Sequence, residues 1–392
     1  MRLVHLADLH LGFRQYHRLT PTGINQREAD VAHAFRRAID SVIALAPDIV
    51  VIAGDVFHTV RPMNPAIIDA FSQFARLTAS LPDAIVVMVA GNHDRPRATE
   101  TGCILKLFSK LGIHVVVDEP KRLAFPDRDL SILAVPDLTG PRPDLSPDSA
   151  ARHNVLVMHG EVEGVIRHGG GDRAAMEIPR SALAASKWSY IALGHYHVHT
   201  RIEDNAYYAG ALEYTSTDPW SELDEEARLR LPGKGFIEFD LDDGEHTFHH
   251  IDANRALVSL EPIAARGLSA AELDVAIRDR CAACEGGIEE KIVRLVVRDG
   301  PRHIVRELDS RALRELKRRA MHFQLDTRRP DAVRPSGTAS GRRPTLVETV
   351  TSYLQRRQLD EELDRAALVH LGLEYLKQAD EMDAAAAASP RE

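Results

Sequence analysis

The sequence predicts an α/β layered fold, and two patterns in its first 240 residues predict it. Short runs rich in valine, isoleucine and leucine recur along the chain, and segments of helical length separate most of them. Continuous apolar runs are typical of strands in a sheet that is covered on both faces, because a half-exposed strand alternates with polar residues. The runs lie at residues 3–6, 49–52, 85–89, 115–117, 132–135, 155–158 and 191–193.

Two of the intervening segments carry a clear helical pattern. Val31, Phe35 and Ile39 are spaced four residues apart, as are Ile67 and Phe71. Residues at this spacing lie on one side of an α-helix, so each segment has a single apolar stripe. We expect these two helices to pack on a sheet.

Beyond residue 230 the pattern changes and predicts further units. Apolar runs at 235–239 and 247–251 flank Asp242-Asp243-Gly244, which is typical of a β-hairpin. We therefore place the first domain at residues 1–253. A smaller α+β domain is predicted over 254–327, and a flexible basic linker with almost no apolar residues follows at 328–344.

The end of the chain predicts a helical hairpin over 345–380 and a disordered tail over 381–392. Thr345 and Glu348 form a capping box at the start of the first of these helices. Two short amphipathic helices after a linker cannot fully bury their apolar sides against each other, so they indicate a partner protein. The alternative is a hairpin that folds back on the main body.

Composition and charge exclude several classes of protein. The formal net charge is −9, so contact with nucleic acid must come from local basic patches. Three cysteines are too few for the disulfide framework of a small secreted protein. The longest apolar run, at 84–90, is far shorter than the ~18 residues of a membrane span, and Asp8 interrupts any signal-peptide core. We expect a soluble cytoplasmic protein that contacts no membrane.

Side chains that bind metal ions follow the predicted strands, at the point where each strand ends. The carboxyl ends of sheet strands are where α/β folds place their sites. Burying so many charged and imidazole groups without partners is costly, which favours a metal centre. The seven candidate ligands are Asp8, His10, Asp55, Asn92, His159, His195 and His197.

Seven ligands exceed what one ion usually takes from a protein, so we predict two divalent ions about 3.5 to 4 Å apart. Asp55 is the best candidate for a bridging carboxylate, because Gly54 beside it allows close approach. Oxygen and imidazole ligands fit Mn²⁺, Fe or Zn²⁺, and an octahedral geometry favours Mn²⁺. Two such ions outweigh the charges of Asp8 and Asp55, which suits an anionic phosphate.

Three further residues near these motifs are candidates for catalysis. The His93 imidazole can donate a proton to a leaving oxygen or hold a phosphate oxygen. His58 is expected to orient the substrate. Asp94 either holds the His93 ring or caps the following turn.

The order of these motifs resembles that of the calcineurin-like metallophosphoesterase superfamily. The segments 7–12 and 54–58 narrow the resemblance to SbcD-type nuclease subunits, which process DNA double-strand breaks. The motifs are Asp8-Leu9-His10, Gly54-Asp55, Gly91-Asn92-His93-Asp94, Met158-His159-Gly160 and Gly194-His195-Tyr196-His197.

The resemblance implies a four-layer α-β-β-α sandwich with a DNA-contacting cap domain and a C-terminal helical hairpin. The hairpin would bind an SbcC-like ATPase of the SMC family, and helices of the first domain would form a homodimer. His93 would be the catalytic histidine. Two Mn²⁺ ions are implied, one held by Asp8, His10, Asp55 and His197, and the other by Asp55, Asn92, His159 and His195.

The expected function is therefore that of a Mn²⁺-dependent DNA nuclease in double-strand-break repair, associated with the nucleoid during repair. It would act as an exonuclease and as an endonuclease on single strands and hairpins. The alternative is a metallophosphoesterase for a small phosphodiester or a phosphoprotein, although a compact phosphatase would not need the C-terminal third. A non-enzymatic scaffold on the same fold would typically lose ligands, and the seven are all present.

Overall fold

The structure, a computed structural model, describes residues 1–96, 102–165, 173–329, 345–356 and 364–388. No helix within these ranges is long and apolar enough to cross a membrane. Contacts divide the chain into two compact units, Met1–Pro330 and Asp331–Glu392. The strands are, in chain order, β1 (Arg2–Leu6), β2 (Ile49–Ile52), β3 (Ile85–Val89), β4 (His114–Val116), β5 (Lys121–Phe125), β6 (Leu130–Val135), β7 (His153–His159), β8 (Glu161–Val162), β9 (Glu177–Ile178), β10 (Tyr190–Gly194), β11 (Thr200–Glu203), β12 (Ala206–Tyr208), β13 (Gly235–Asp240), β14 (His246–His250), β15 (Leu257–Ala264), β16 (Ile292–Arg298) and β17 (His322–Thr327). The helices are α1 (Gln26–Leu45), α2 (Asn64–Ser80), α3 (Pro219–Leu229), α4 (Ala270–Ala282), α5 (Arg302–Arg306), α6 (Ser310–Arg319), α7 (Leu346–Arg356) and α8 (Arg365–Ala388).

Two six-stranded sheets pack face to face and form the centre of the first unit. The first sheet has the strand order β14-β13-β1-β2-β3-β4, and the second has the order β11-β12-β10-β7-β6-β5. Alternate residues of both sheets, among them Val51, Val87, Val155 and Val157, form one buried apolar cluster between them. Burial on both faces explains why these strands are apolar throughout.

The outer faces of the two sheets are covered differently. α1 and α2 pack on the first sheet through side chains such as Phe35 and Phe74. Within the described residues, 3-10 turns and the β8–β9 ribbon cover the second sheet where an α-helix was expected. These elements pack on the sheet through Ile178 and Leu183. The predicted layered α/β fold class is confirmed, with a thin fourth layer.

The buried strands begin and end close to the predicted residues, and β2 and β3 match them at both ends. The sequence did not predict β5, β8, β9, β11, β12, α3 or α5. β5 is a sheet edge whose side chains are mostly exposed, so it lacks the apolar run that marks a central strand.

A third, three-stranded sheet follows the sandwich within the first unit. Its strands β15, β16 and β17 are parallel. α4 and α6 pack on it, and Leu273, Ile277, Leu316 and Phe323 belong to its own apolar cluster. We call β15–β17 with α4–α6 the appended subdomain. Its independence as a domain from residue 254 stays a prediction, and most of the predicted linker, 330–344, lies outside the described residues.

The second unit contains α7 and α8, at the positions predicted for the hairpin. The Thr345 hydroxyl accepts from the Glu348 N–H at 3.2 Å, and a Glu348 carboxylate oxygen accepts from the Thr345 N–H at 2.7 Å. A Cβ at Gly372 would lie 2.9 Å from the Leu354 side chain, so the helices approach closely there. α8 continues to Ala388, past residue 380 where the sequence placed a disordered tail, because the alanine run at 384–388 favours helix. Residues 389–392 lie outside the described residues.

His5 of β1 is fully buried between the two large sheets and makes the fold sensitive to acid. Its Nδ1 lies 3.0 Å from the Tyr190 hydroxyl. Burial, with a smaller contribution from the charge of His199, lowers the pKa of His5 from 6.5 to about 3. Between these values the unfolded chain binds one more proton at this residue than the folded protein does. Stability therefore rises with pH across this window and is lost as pH falls.

Replacing His5 with phenylalanine is expected to flatten this dependence by up to ~1.4 kcal/mol per pH unit between pH 6.5 and about 3. The measurement is urea unfolding at several pH values. Because His5→Phe alone would strand the Tyr190 hydroxyl, the comparison is His5→Phe/Tyr190→Phe against Tyr190→Phe. Parallel curves for the two proteins would show that His5 does not carry the effect.

Candidate metal centre

The seven predicted ligands converge at one edge of the sandwich, where the strands that precede them end. Among the described residues, three groups have ligand atoms that lie within 4.8 Å of one another: two consist of predicted ligands, and the third consists of His10 with His58 and His93. We call Asp8, His10 and His197 the first cluster, and Asp55, His159 and His195 with Asn92 the second cluster.

In the first cluster two imidazoles point their Nε2 atoms at each other. The Nε2 atoms of His10 and His197 are 2.9 Å apart. Two adjacent ligands on an ion with metal–nitrogen distances of ~2.1 Å lie about 3 Å apart, so the spacing fits a shared cation. The Asp8 carboxylate is held by the His195 N–H, at 2.9 and 3.1 Å from its two oxygens.

In the second cluster the Asn92 amide oxygen lies between two imidazoles. It is 3.0 Å from the His159 Nε2 and 3.2 Å from the His195 Nδ1. The Asp55 Oδ2 lies 3.4 Å from the same His159 nitrogen. One carboxylate, one amide oxygen and two imidazoles form a mixed oxygen and nitrogen donor set that suits a divalent first-row ion.

Asp55 lies between the two clusters. Its Oδ2 is 3.4 Å from the His159 Nε2 and 3.8 Å from the His10 Nε2, so one oxygen faces both groups. Its Oδ1 accepts from the His93 N–H at 2.9 Å. This is the position that a carboxylate shared by two ions requires, and the residues present fit a pair of ions.

The outward ring nitrogens of His159 and His195 have oxygen partners, whereas the His10 Nδ1 lies 3.3 Å from the His58 Nδ1. The His159 Nδ1 donates to the Ala53 carbonyl oxygen at 2.8 Å, which leaves Nε2 as the ligand nitrogen. The His195 Nε2 lies 3.3 Å from a Glu161 carboxylate oxygen. Such partners fix the orientation of a metal-binding imidazole and raise its basicity.

A buried ion-pair network holds the third imidazole, that of His197. Its Nδ1 lies 3.5 Å from a Glu222 carboxylate oxygen. The Lys234 ammonium contacts the other Glu222 oxygen and also donates to the His197 carbonyl oxygen at 2.9 Å. Burial would raise the pKa of Glu222, but the Lys234 ammonium and the His197 ring hold that pKa well below its usual range.

The backbone is left-handed at several ligand positions. The φ angles of Asp8, His10 and Asp55 are 51°, 45° and 50°. Non-glycine residues held in this region are uncommon and cluster at functional sites. Gly54, with φ 91°, must be glycine because the His159 ring approaches its Cα closely. A Cβ there would lie 2.3 Å from the His159 Nδ1.

Of the three candidate catalytic residues, His58 and His93 lie beside the first cluster. The His93 ring contacts the His10 ring edge-on at a centroid distance of 4.8 Å and stacks on the His58 ring at 5.1 Å. Its Nδ1 donates to the His58 carbonyl oxygen at 2.7 Å. The Asp94 carboxylate instead accepts from the backbone N–H groups of residues 56, 57 and 91, at 3.1, 2.9 and 3.0 Å, and so ties two loops together.

The electrostatics of the centre favour a cation. Burial raises the pKa of Asp8 to about 6. Burial opposes protonation of His159, but the Asp55 carboxylate beside it raises the His159 pKa to about 10. The pairing with Asp55 thus favours the protonated His159 ring in the metal-free chain, and a metal ion that binds the His159 Nε2 must displace that proton.

Sequence reasoning missed Glu161, Glu222 and Lys234. α3, which carries Glu222, has a recognisable start, because Asp218 is an N-cap and Pro219 is the first helical residue. The pairing of Glu222 with His197 depends on tertiary packing, and the local sequence gives no signal for it.

The chain matches known proteins in the part that carries these clusters. Residues 1–199 match the family described as calcineurin-like phosphoesterase. This match contains all seven ligands, and His197 is the last of them in sequence.

Several curated relatives are described as DNA double-strand break repair protein Mre11. The protein from Thermoplasma acidophilum is 28% identical over 257 residues, which is 62% of this chain and 62% of that protein. The protein from Methanopyrus kandleri is 27% identical over 284 residues, covering 67% of this chain and 59% of that protein. That from Methanocaldococcus jannaschii is 37% identical over 97 residues, about a quarter of each chain. The chain thus spans less than two thirds of the length of these relatives.

Proposed function

The chain belongs to the calcineurin-like phosphoesterase family, and from this premise we propose that it is a two-metal phosphodiester hydrolase that cleaves DNA in double-strand-break repair. One observation carries the proposal. Two ligand clusters lie side by side and share the Asp55 carboxylate, as two-ion hydrolysis requires.

In this proposal the seven candidate ligands bind the two ions. Asp8, His10, Asp55 and His197 hold one ion, and Asp55, Asn92, His159 and His195 hold the other. Two bound divalent ions, with Mn²⁺ the best candidate, supply Lewis-acid polarisation of phosphoryl oxygens and lower the pKa of water.

His93 is the proposed general acid. Its Nδ1 proton is committed to the His58 carbonyl oxygen, so Nε2 is the ring nitrogen that exchanges a proton with the leaving oxygen. His58 keeps its predicted role of orienting the substrate, and it also orients the His93 ring by stacking and through that carbonyl oxygen. Asp94 keeps the loops that carry Asp55 and His93 in register through its backbone contacts.

DNA as the substrate is supported by a groove near the appended subdomain and by the names of the relatives. The groove has a volume of about 760 Å³, and Tyr16, Arg18, Lys317, Arg318 and His322 are among its lining residues. The rings of Tyr16 and His322 stack at a centroid distance of 3.8 Å. Arg18 and Arg318 pair with Glu290 and Glu315, so a strand bound in this groove would exchange these carboxylates for its own phosphates. Cations beside aromatic rings are the combination that binds single-stranded nucleic acid.

The proposal is tested by assaying the full chain with Mn²⁺ on single-stranded, duplex and hairpin DNA beside a chromogenic phosphodiester. We expect cleavage of DNA that is lost on chelation and restored by Mn²⁺. Hydrolysis of the small phosphodiester without any DNA cleavage would favour the alternative, a phosphoesterase for a small molecule or a phosphoprotein. No hydrolysis of either substrate would contradict an enzymatic function.

We further propose that the hairpin α7–α8 binds an SbcC-like ATPase of the SMC family. Its support is the apolar surface of the hairpin, where Leu346, Leu371 and Tyr375 are 65%, 47% and 64% exposed. Homodimerisation is proposed through helices of the first unit, and Met63 and Ile68 of the α2 region are exposed there. Localisation at the nucleoid stays a prediction that depends on these partners.

The double substitution Leu371→Glu/Tyr375→Glu is expected to abolish co-purification with the ATPase while leaving Mn²⁺-dependent hydrolysis of a small phosphodiester unchanged. Both side chains lie on one side of α8, because residues four apart are neighbours on a helix. The control is His370→Glu, which adds a charge about 100° away around the helix. Truncation after Arg343 should have the same effect as the double substitution. Retention of the ATPase by the truncated chain would refute the assignment.

A further inference from the structure

α3 lies between the first cluster and the appended subdomain, and it contacts both. Its Glu222 and Glu226 are four residues apart, and both face Lys234. The Glu222 carboxylate contacts the Lys234 ammonium, and a Glu226 carboxylate oxygen lies 3.0 Å from it. Its Trp220, two residues before Glu222, is about 200° away around the helix. The indole packs against Ile292 and Met321 of the appended subdomain.

The contacts on the subdomain side are specific as well as apolar. The Trp220 indole N–H donates to the Gln324 side-chain oxygen of β17 at 2.9 Å. The Arg294 guanidinium of β16 lies over the same indole at 5.0 Å and also reaches the Asp224 carboxylate at 3.2 Å. These contacts therefore fix the position of α3 on the three-stranded sheet.

The contacts on the other side end at a ligand. Lys234 is 2% exposed and donates to the His197 carbonyl oxygen, while its partner Glu222 faces the His197 Nδ1 at 3.5 Å. The Glu226 carboxylate, also paired with Lys234, accepts from the Tyr214 hydroxyl at 2.6 Å. One buried cation thus fixes both the backbone and the ring partner of His197.

We propose that Glu222 and Lys234 are positioning residues for His197 and that α3 couples them to the appended subdomain, so that the seating of the subdomain controls the ion of the first cluster. This inference rests on the proposed two-metal function. A ligand such as DNA that moves the subdomain would shift Trp220 and, through the rigid helix, the carboxylate that orients the imidazole. The ion of the second cluster depends on Glu161 and Ala53, which belong to other elements, and is expected to be insensitive.

The test is Mn²⁺ titration of the full chain, followed by the electron paramagnetic resonance signal of free Mn²⁺. Wild-type protein is expected to bind two ions. Glu222→Gln should weaken the binding of one ion by about 10- to 100-fold and leave the binding of the other unchanged. Because Glu222→Gln removes one of the two carboxylates that pair with the buried Lys234, Glu222→Gln/Lys234→Met is the second variant and should weaken binding of the same ion. His197→Ala identifies that ion as the one of the first cluster.

Trp220→Leu tests the coupling, since it changes only the subdomain side of α3. We expect it to weaken the same ion as Glu222→Gln, by a smaller factor. The control is Leu229→Ala, which truncates an exposed apolar side chain of the same helix and should leave both ions unchanged.

Three results would overturn the inference. Unchanged binding of both ions in Glu222→Gln and Trp220→Leu would remove the link between α3 and the site. Equal weakening of both ions in every variant would indicate a general loss of stability. Wild-type protein that binds no pair of ions would overturn the proposed function, and this inference with it.

Discussion

Replacing Asp55 with alanine is expected to remove both metal ions and to lower phosphodiester hydrolysis by at least about 10³-fold. The same carboxylate oxygen faces the His10 and His159 nitrogens, at 3.8 and 3.4 Å, so its loss opens both clusters at once. Loss of the several kcal/mol that ions contribute to the transition state corresponds to at least this factor. The measurements are the bound-metal content and the rate on a chromogenic phosphodiester.

The matched control for Asp55→Ala is Asp30→Ala. Asp30 is also a buried carboxylate of the first unit, but it pairs with Arg27 and Arg255 and not with a ligand. Its loss should lower stability and leave both ions bound. Retention of either ion by Asp55→Ala would contradict a shared carboxylate.

Replacing His93 with alanine is expected to reduce hydrolysis by about 10²- to 10⁴-fold while both ions stay bound. The His93 ring contacts the His10 and His58 rings, but the His93 contact to Asp55 comes from the backbone N–H, which alanine retains. The ligand set is therefore intact in the variant. Metal content and rate are again measured together, because a catalytic histidine is identified only if the rate falls while the metal content stays the same.

His17→Ala provides the control for His93→Ala. His17 is an exposed histidine that belongs to neither cluster, so its loss should leave hydrolysis of a small phosphodiester and metal content unchanged. Loss of an ion from His93→Ala would place His93 among the ligands instead. An unchanged rate would indicate that a group other than His93 donates the proton to the leaving oxygen.

Most of the fold and the seven candidate ligands could be predicted because their signals are local. Each ligand follows a strand whose apolar run is continuous in sequence, as Asp8 follows β1 and Asp55 follows β2. Parallel strands bring Asp8, Asp55 and Asn92 together at the end of the first sheet, and His159 and His195 together at the end of the second. The face-to-face packing of the two sheets, which has no local signal, then joins the two sets.

Other features depend on tertiary structure and had no local signal. The Asp94 carboxylate is next to His93 in sequence, yet the turn directs it to backbone amides. The left-handed backbone at Asp8, His10 and Asp55 is imposed by the packing of loops from different strands. Glu222 reaches His197 only because α3 lies between the sandwich and the appended subdomain.

The proposed function requires two cations side by side in this centre. Anomalous diffraction at the manganese edge, from crystals of the full chain grown with Mn²⁺, would locate them. We predict two anomalous peaks about 3.5 to 4 Å apart, one beside His10 and His197 and the other beside Asn92 and His159, with Asp55 between them. A single peak, or peaks away from these side chains, would contradict the account.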